Sequence, residues 1–198
     1  MPLNSFDQEL ISSNLLEATN FKELYRKEKL LTNTKMLLLQ ENPIDGNLDY
    51  RHLKAIHNFL FSEVYTWAGQ DRYDANITAK FGKDTTLFTP YEKLPSVSKI
   101  LFDALRDENY FKGQTKVKFT KSASIFMNGL NILHPFREGN GRVQRIYMQY
   151  LAKNAGYELN FENISSEDMV QASIKGSEGE LALLQEIFTK SICTISQR

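Results

Sequence analysis

Apolar residues recur at three- and four-residue steps along most of this chain, the spacing of one buried face on an α-helix. Leu53, Ile56, Leu60 and Val64 follow it between Leu48 and Tyr65. Leu94, Val97, Leu101 and Leu105 follow it between Pro90 and Asp107, with a proline near the first turn. Ala123, Phe126, Leu130 and Leu133 form a third stripe from Thr120, which suits an N-cap, and Val143, Ile146, Tyr147, Tyr150 and Leu151 form a fourth. Phe21 to Gln40 reads as one or two helices broken near Thr32-Asn33-Thr34, and Asn42-Pro43-Ile44-Asp45-Gly46 as a loop. Ser165 with Asp168 resembles a capping box opening a helix to about Lys175; Gly176 and Gly179 then precede a last helix from Glu180 to about Thr194.

One stretch breaks this period. Between residues 76 and 90, Asn76, Gly82 and Asp84 are turn formers, as is Asp74 just before, while Ile77, Phe81, Leu87 and Phe88 suit short strands. The predicted fold class is all-α, a helical bundle carrying a short β-hairpin. It is expected as one domain over 1–198, with a core near 48–155 and C-terminal helices near 165–194.

Composition narrows the partners. Lys+Arg and Asp+Glu both count 24, without a basic block, which argues against a dedicated nucleic-acid or membrane-surface binder. Cys193 stands alone and suits a reducing compartment. The N-terminus lacks the basic and apolar regions of an export signal, and no apolar run approaches spanning length, so the expected location is cytoplasmic. His52 and His57 are five apart and cannot form the i, i+4 pair of a helical zinc site; they and Trp67 read as ordinary helix and core residues.

The chemistry concentrates in His134-Pro135-Phe136-Arg137-Glu138-Gly139-Asn140-Gly141-Arg142, with Arg145 one helical turn later. This segment joins two predicted helices and opens the second. Gly139-Asn140-Gly141 allows positive φ and inward-turned N–H groups, and a helix N-terminus adds unpaired N–H groups and partial positive charge. Arg142 and Arg145, three apart, share a face and suit bidentate contact with β- and γ-phosphate oxygens. A carboxylate beside such a nest calls for an intervening cation, so Glu138 is expected to ligate Mg²⁺. His134 is the nearby group able to accept a proton near pH 7. Together these residues predict phosphoryl or nucleotidyl transfer with His134 as general base.

The stretch resembles the signature of the Fic (filamentation induced by cAMP) family, His-x-Phe-x-Asp/Glu-Gly-Asn-Gly-Arg-x-x-Arg, matching at His134, Phe136, Glu138, Gly139, Asn140, Gly141, Arg142 and Arg145. The resemblance implies an all-helical protein adenylyltransferase that moves AMP from Mg·ATP to a Ser, Thr or Tyr hydroxyl of a target protein. It implies His134 as base, Glu138 on Mg²⁺, and Asn140 with Gly139 and Gly141 on the α- and β-phosphates. Arg142 would hold the β-phosphate region, Arg145 the γ-phosphate, and Phe136 would anchor the loop. It also implies that the upstream hairpin is a flap that docks the target, here through Thr86, Leu87 and Phe88 after Trp67-Ala68-Gly69-Gln70.

Three readings stay open beside AMP transfer: kinase chemistry as in death-on-curing relatives, transfer of another nucleotidyl or phosphoryl group, and a silent nucleotide-sensing domain. The death-on-curing proteins replace the second glycine, whereas Gly141 is present here. Many family members are restrained by a helix bearing Ser/Thr-x-x-x-Glu-Gly/Asn, and no complete copy occurs in this sequence. Ser13 to Glu17 supplies the first half, but Ala18 follows. Three alternatives follow: restraint from Ser13 and Glu17, read as lying on one helix, restraint from a small antitoxin-like partner protein, or no restraint.

Overall fold

The computed structural model describes residues 5–78, 82–83 and 86–194. The chain folds into two compact units, one of Met1–Asn47 with Arg51–Gln70 and one of Leu48–Tyr50 with Asp71–Arg198. Among the described residues no helix is long and apolar enough to cross a membrane.

The first unit holds α1 (Ser5–Ser12), α2 (Phe21–Glu41) and all but the first residue of α3 (Tyr50–Phe61). α2 runs unbroken through Thr32 and Thr34, where a break was expected. Each threonine hydroxyl donates to the carbonyl four residues back, Thr32 to Glu28 at 2.8 Å and Thr34 to Leu30 at 3.1 Å, so neither competes for the helix ladder. Asn20 caps the start by accepting from the Glu23 N–H at 3.0 Å. α3 stops at Phe61, short of the expected Tyr65, and Tyr65 instead bridges to Asn14. Buried Tyr65 donates its hydroxyl to buried Glu28 and stacks on Trp67, centroids 4.4 Å apart. His57 is fully buried and accepts from the Gly69 N–H at 2.8 Å, while His52 lies 3.0 Å from the Ile44 carbonyl. Both histidines are committed to structure.

The second unit is organised around α5 (Lys116–Leu133), which packs against α4 (Leu94–Asp107), α6 (Asn140–Asn154), α7 (Ser166–Ser177) and α8 (Ala182–Ser191). α5 begins earlier than its stripe suggested, because Thr115 caps the Lys118 N–H at 3.4 Å and Thr120 sits inside, bonded to the Lys116 carbonyl. Phe102, Phe111, Phe126 and Tyr147 fill the centre with tilted and edge-on contacts, centroids 5.6–6.4 Å apart. Such pairs add to the gain from area removed from water. The Ser165 cap is present, its hydroxyl accepting the Asp168 N–H at 3.0 Å.

Two antiparallel pairs complete this unit. β1 (Gly82–Lys83) pairs with β2 (Thr86–Leu87), Gly82 opposite Leu87 and Lys83 opposite Thr86. Phe81 and Asp84, part of the predicted hairpin, lie outside the described residues. β3 (Tyr157–Leu159) pairs with β4 (Ile192–Thr194). Periodicity extended the last helix to Thr194; it ends at Ser191, because the following Ile-Cys-Thr, with two β-branched residues of high strand preference, finds a partner strand.

Candidate active site

The site sits where α5 hands over to α6 through residues 134–139. His134 occupies the C-cap of α5 in the left-handed region, φ +42°, and its N–H still reaches the Leu130 carbonyl at 3.0 Å. Its Nδ1 lies 3.2 Å from the Asn131 carbonyl. A carbonyl only accepts, so this contact assigns the proton to Nδ1 and places the basic lone pair on Nε2. The ring of Phe88 lies over the imidazole, centroids 3.6 Å apart.

The loop is closed by its own residues. Asn140 accepts the Phe136 N–H at 2.9 Å and donates back to the Phe136 carbonyl at 2.7 Å. Phe136 is buried at 1% exposure, which pins the loop into the core. The side-chain amide of Asn140 is thus engaged in holding the loop. Gly139 takes the left-handed conformation, φ +81°, at the N-cap of α6, where a Cβ would be strained. Gly141 lies within α6, so only the first glycine supplies positive φ. Asn140 and Gly141, as the leading helical positions, have no carbonyl one turn back for their N–H groups to meet. A Cβ on Gly141 would sit 3.5 Å from Arg145 Nη1, which places the guanidinium close to that helix start.

The charges are arranged unequally. Glu138 accepts from the Gly139 N–H at 2.8 Å and pairs loosely with Arg142 at 3.4 Å, both side chains partly exposed. Arg145 lies deeper, and no carboxylate of the described residues in its unit comes within 4.0 Å of it. Burial first, and then the neighbouring Arg142 cation, pull the Arg145 guanidinium below its ordinary value. Two neighbouring cations, with one carboxylate loosely paired to Arg142, form an environment that favours a polyanion.

Periodicity did not single out Arg72, which is buried at 1% exposure. It donates Nε–H to the His134 carbonyl at 3.0 Å and Nη2–H to the Thr89 and Leu133 carbonyls at 2.7 and 3.3 Å. A charged residue just after the Trp67–Gln70 stretch was its only trace in the sequence.

Of the expected flap residues, Leu87 is exposed at 79% and Phe88 is half-buried against His134. Thr86 lies in β2. Ser13 and Glu17 belong to the first unit and correct one expectation. α1 ends at Ser12, and Asn14 folds the chain into a turn by accepting the Leu16 and Ala18 N–H groups at 3.0 and 2.9 Å. Glu17 is exposed in the left-handed region, φ +53°, and Ser13 accepts from Trp67 Nε1 at 3.0 Å. They do not share a helix face.

A helix-end imidazole, a short glycine-bearing turn and two arginines on the helix that follows it define a helical domain suited to handling phosphate. The chain belongs to the Fic/DOC family, whose model matches residues 47–152. It is 32% identical over 187 residues to the protein adenylyltransferase VbhT of Bartonella schoenbuchensis, covering 93% of this chain but only 38% of that protein. It is 35% identical over 182 residues to the Escherichia coli K12 protein named "Probable protein adenylyltransferase Fic", covering 92% of this chain and 88% of that one. Among solved structures, the N-terminal Fic domain of a VirB-translocated Bep effector from Bartonella quintana, crystallised with ADP, superimposes with a TM-score of 0.84 at 25% identity, covering 92% and 91% of the two chains.

Proposed function

We propose that this chain is a protein adenylyltransferase: it binds ATP on the 138–145 loop and helix start and transfers AMP to a hydroxyl of a target protein. The observation that carries this reading is Arg145, a half-buried cation without a carboxylate partner among the described residues of its unit, facing the helix start that also presents the Asn140 and Gly141 N–H groups. A triphosphate supplies the missing negative charge. The relatives named as adenylyltransferases and the ADP-bound Fic domain support the same assignment.

His134 is the general base. With its proton held on Nδ1 by the Asn131 carbonyl, Nε2 takes the proton of the target hydroxyl as that oxygen bonds to the α-phosphorus. The bond from the α-phosphorus to the bridging oxygen breaks, and pyrophosphate leaves carrying the charge that Arg142 and Arg145 balance.

Glu138 is the residue that would hold Mg²⁺. Among the described residues no group of three metal-ligating side chains is present, and one partly exposed carboxylate beside an anion nest fits a cation that takes most of its ligands from phosphate and water. When bound, the ion neutralises phosphate charge. The β1–β2 hairpin presents an exposed Leu87 and is assigned the docking of an extended target segment by strand addition. Balanced charge and the lone Cys193 fit action on a cytoplasmic protein target.

Parallel reactions with α-labelled and γ-labelled ATP test the assignment. Label on protein from the α position alone is expected; label from the γ position alone would establish kinase chemistry instead.

A further inference from the structure

The last four carbonyls of an α-helix have no partner within the helix. In α5 every one is taken, and the donors come from the site. Leu130 accepts from the His134 N–H and from Gln144 Nε2, and Asn131 accepts from His134 Nδ1. Ile132 accepts from both the N–H and the hydroxyl of Thr89, at 2.9 and 3.1 Å. Leu133 accepts from Arg72, which also takes the carbonyls of His134 and Thr89, while its main-chain N–H takes that of Pro135 at 2.8 Å. One buried side chain thus ties the end of α5, the backbone of His134 and the residue where the chain leaves the hairpin. Thr89 directly follows Phe88, whose ring lies on the imidazole.

A guanidinium suits this place for two reasons. Its planar fork reaches several carbonyls at once, which an ammonium cannot do in the same geometry, and its charge opposes the negative end of the α5 dipole. The support extends outward: Asp71 accepts the Tyr50 hydroxyl at 2.7 Å and the Tyr73 and Asp74 N–H groups, both at 2.9 Å, fixing the turn that carries Arg72.

We infer that Arg72 is a positioning residue for the transfer reaction, fixing His134 and the flap relative to each other so that a docked hydroxyl meets the base in register. At 1% exposure its side chain acts through the backbone it holds rather than at the surface. The inference rests on the adenylyltransferase reading, and its test has readouts that do not need turnover.

Arg72→Lys keeps the charge and loses the fork. The expected results are ATP affinity within about threefold of the parent, transfer kcat lower by about tenfold or more, and a Thr89 amide that exchanges about tenfold faster. In imidazole ¹⁵N NMR the parent should show the Nδ1–H tautomer of His134, and the variant a mixture. An unmoved tautomer with unchanged Thr89 exchange overturns the inference, as does ATP affinity falling in step with transfer, which marks general loosening. Should Arg72→Lys not fold, Thr89→Val removes one of the two bonds onto Ile132. It should lower kcat about threefold at unchanged ATP affinity, and an unaltered kcat overturns the inference. A parent protein that transfers no AMP while the Arg72→Lys tautomer shifts would refute the adenylyltransferase reading and leave the positioning role standing.

Discussion

The ring of Phe88 lies nearly parallel to the imidazole of His134, centroids 3.6 Å apart and planes inclined by 11°. The residue beside Phe88 on the hairpin strand, Leu87, is the most exposed large apolar side chain of the described residues. The hairpin and the proposed base therefore adjoin, and a target strand paired along β2 would lie beside the imidazole. This proximity turns the site's parts into separable experiments.

Base removal comes first. His134→Ala should keep ATP affinity within a few-fold and lower AMP transfer by about 10² or more, since the proton of the hydroxyl loses its acceptor. Calorimetric ATP binding beside α-label transfer makes the comparison. Near-native turnover would take His134 out of the mechanism.

Arg145 offers a case in which binding and stability part. Arg145→Met removes a half-buried cation that lacks a carboxylate partner among the described residues of its unit. ATP affinity should fall by about ten- to a hundredfold, the scale of a charge-assisted hydrogen bond. The melting temperature of the ATP-free protein should not fall, because the lost cation was unfavourably buried. A clear drop in that temperature would reveal a structural role for the guanidinium.

Glu138 is tested through the metal. Glu138→Ala should weaken ATP binding in Mg²⁺ and leave binding in EDTA nearly as it was, with excess Mg²⁺ restoring part of the loss. Equal ATP affinity of the parent in Mg²⁺ and in EDTA would contradict the assignment.

The hairpin is tested by a proline. Leu87→Pro removes a main-chain donor from a two-residue strand. Target labelling should drop by about tenfold or more while ATP affinity holds. Labelling that survives would reduce the hairpin to a cap on the helices.

Glu17 sits in a left-handed turn rather than on a helix with Ser13, so the shared helix face expected for internal restraint is not formed by these two residues. Glu17→Gly should leave transfer within about twofold and leave stability equal or higher, since glycine relieves the positive φ. A rise of about tenfold in transfer would return the restraint to Glu17.

Much of this was legible in the sequence because it depends on local periodicity and spacing. The stripes on α4, α5 and α6 reflect a 3.6-residue repeat that burial imposes on any amphipathic helix. The residues of the 134–145 stretch lie so near one another along the chain that a single turn between two helices, with the start of the second, must bring them together. Tertiary structure decided what local pattern cannot encode. Thr32 and Thr34 look like helix breakers until their hydroxyls find carbonyls four residues back. Ile192 to Thr194 carries a helical period that yields to pairing with Tyr157–Leu159, more than thirty residues away. Ser13 and Glu17 have helical spacing, but the Asn14 side chain takes over the hydrogen bonds that would have continued the helix. Arg72 reads as one more surface cation, and only the fold brings it against the carbonyls of Thr89, Leu133 and His134. Composition and spacing set which groups the chain offers; which carbonyl each donor meets depends on contacts between distant segments, and these form only when the helices pack.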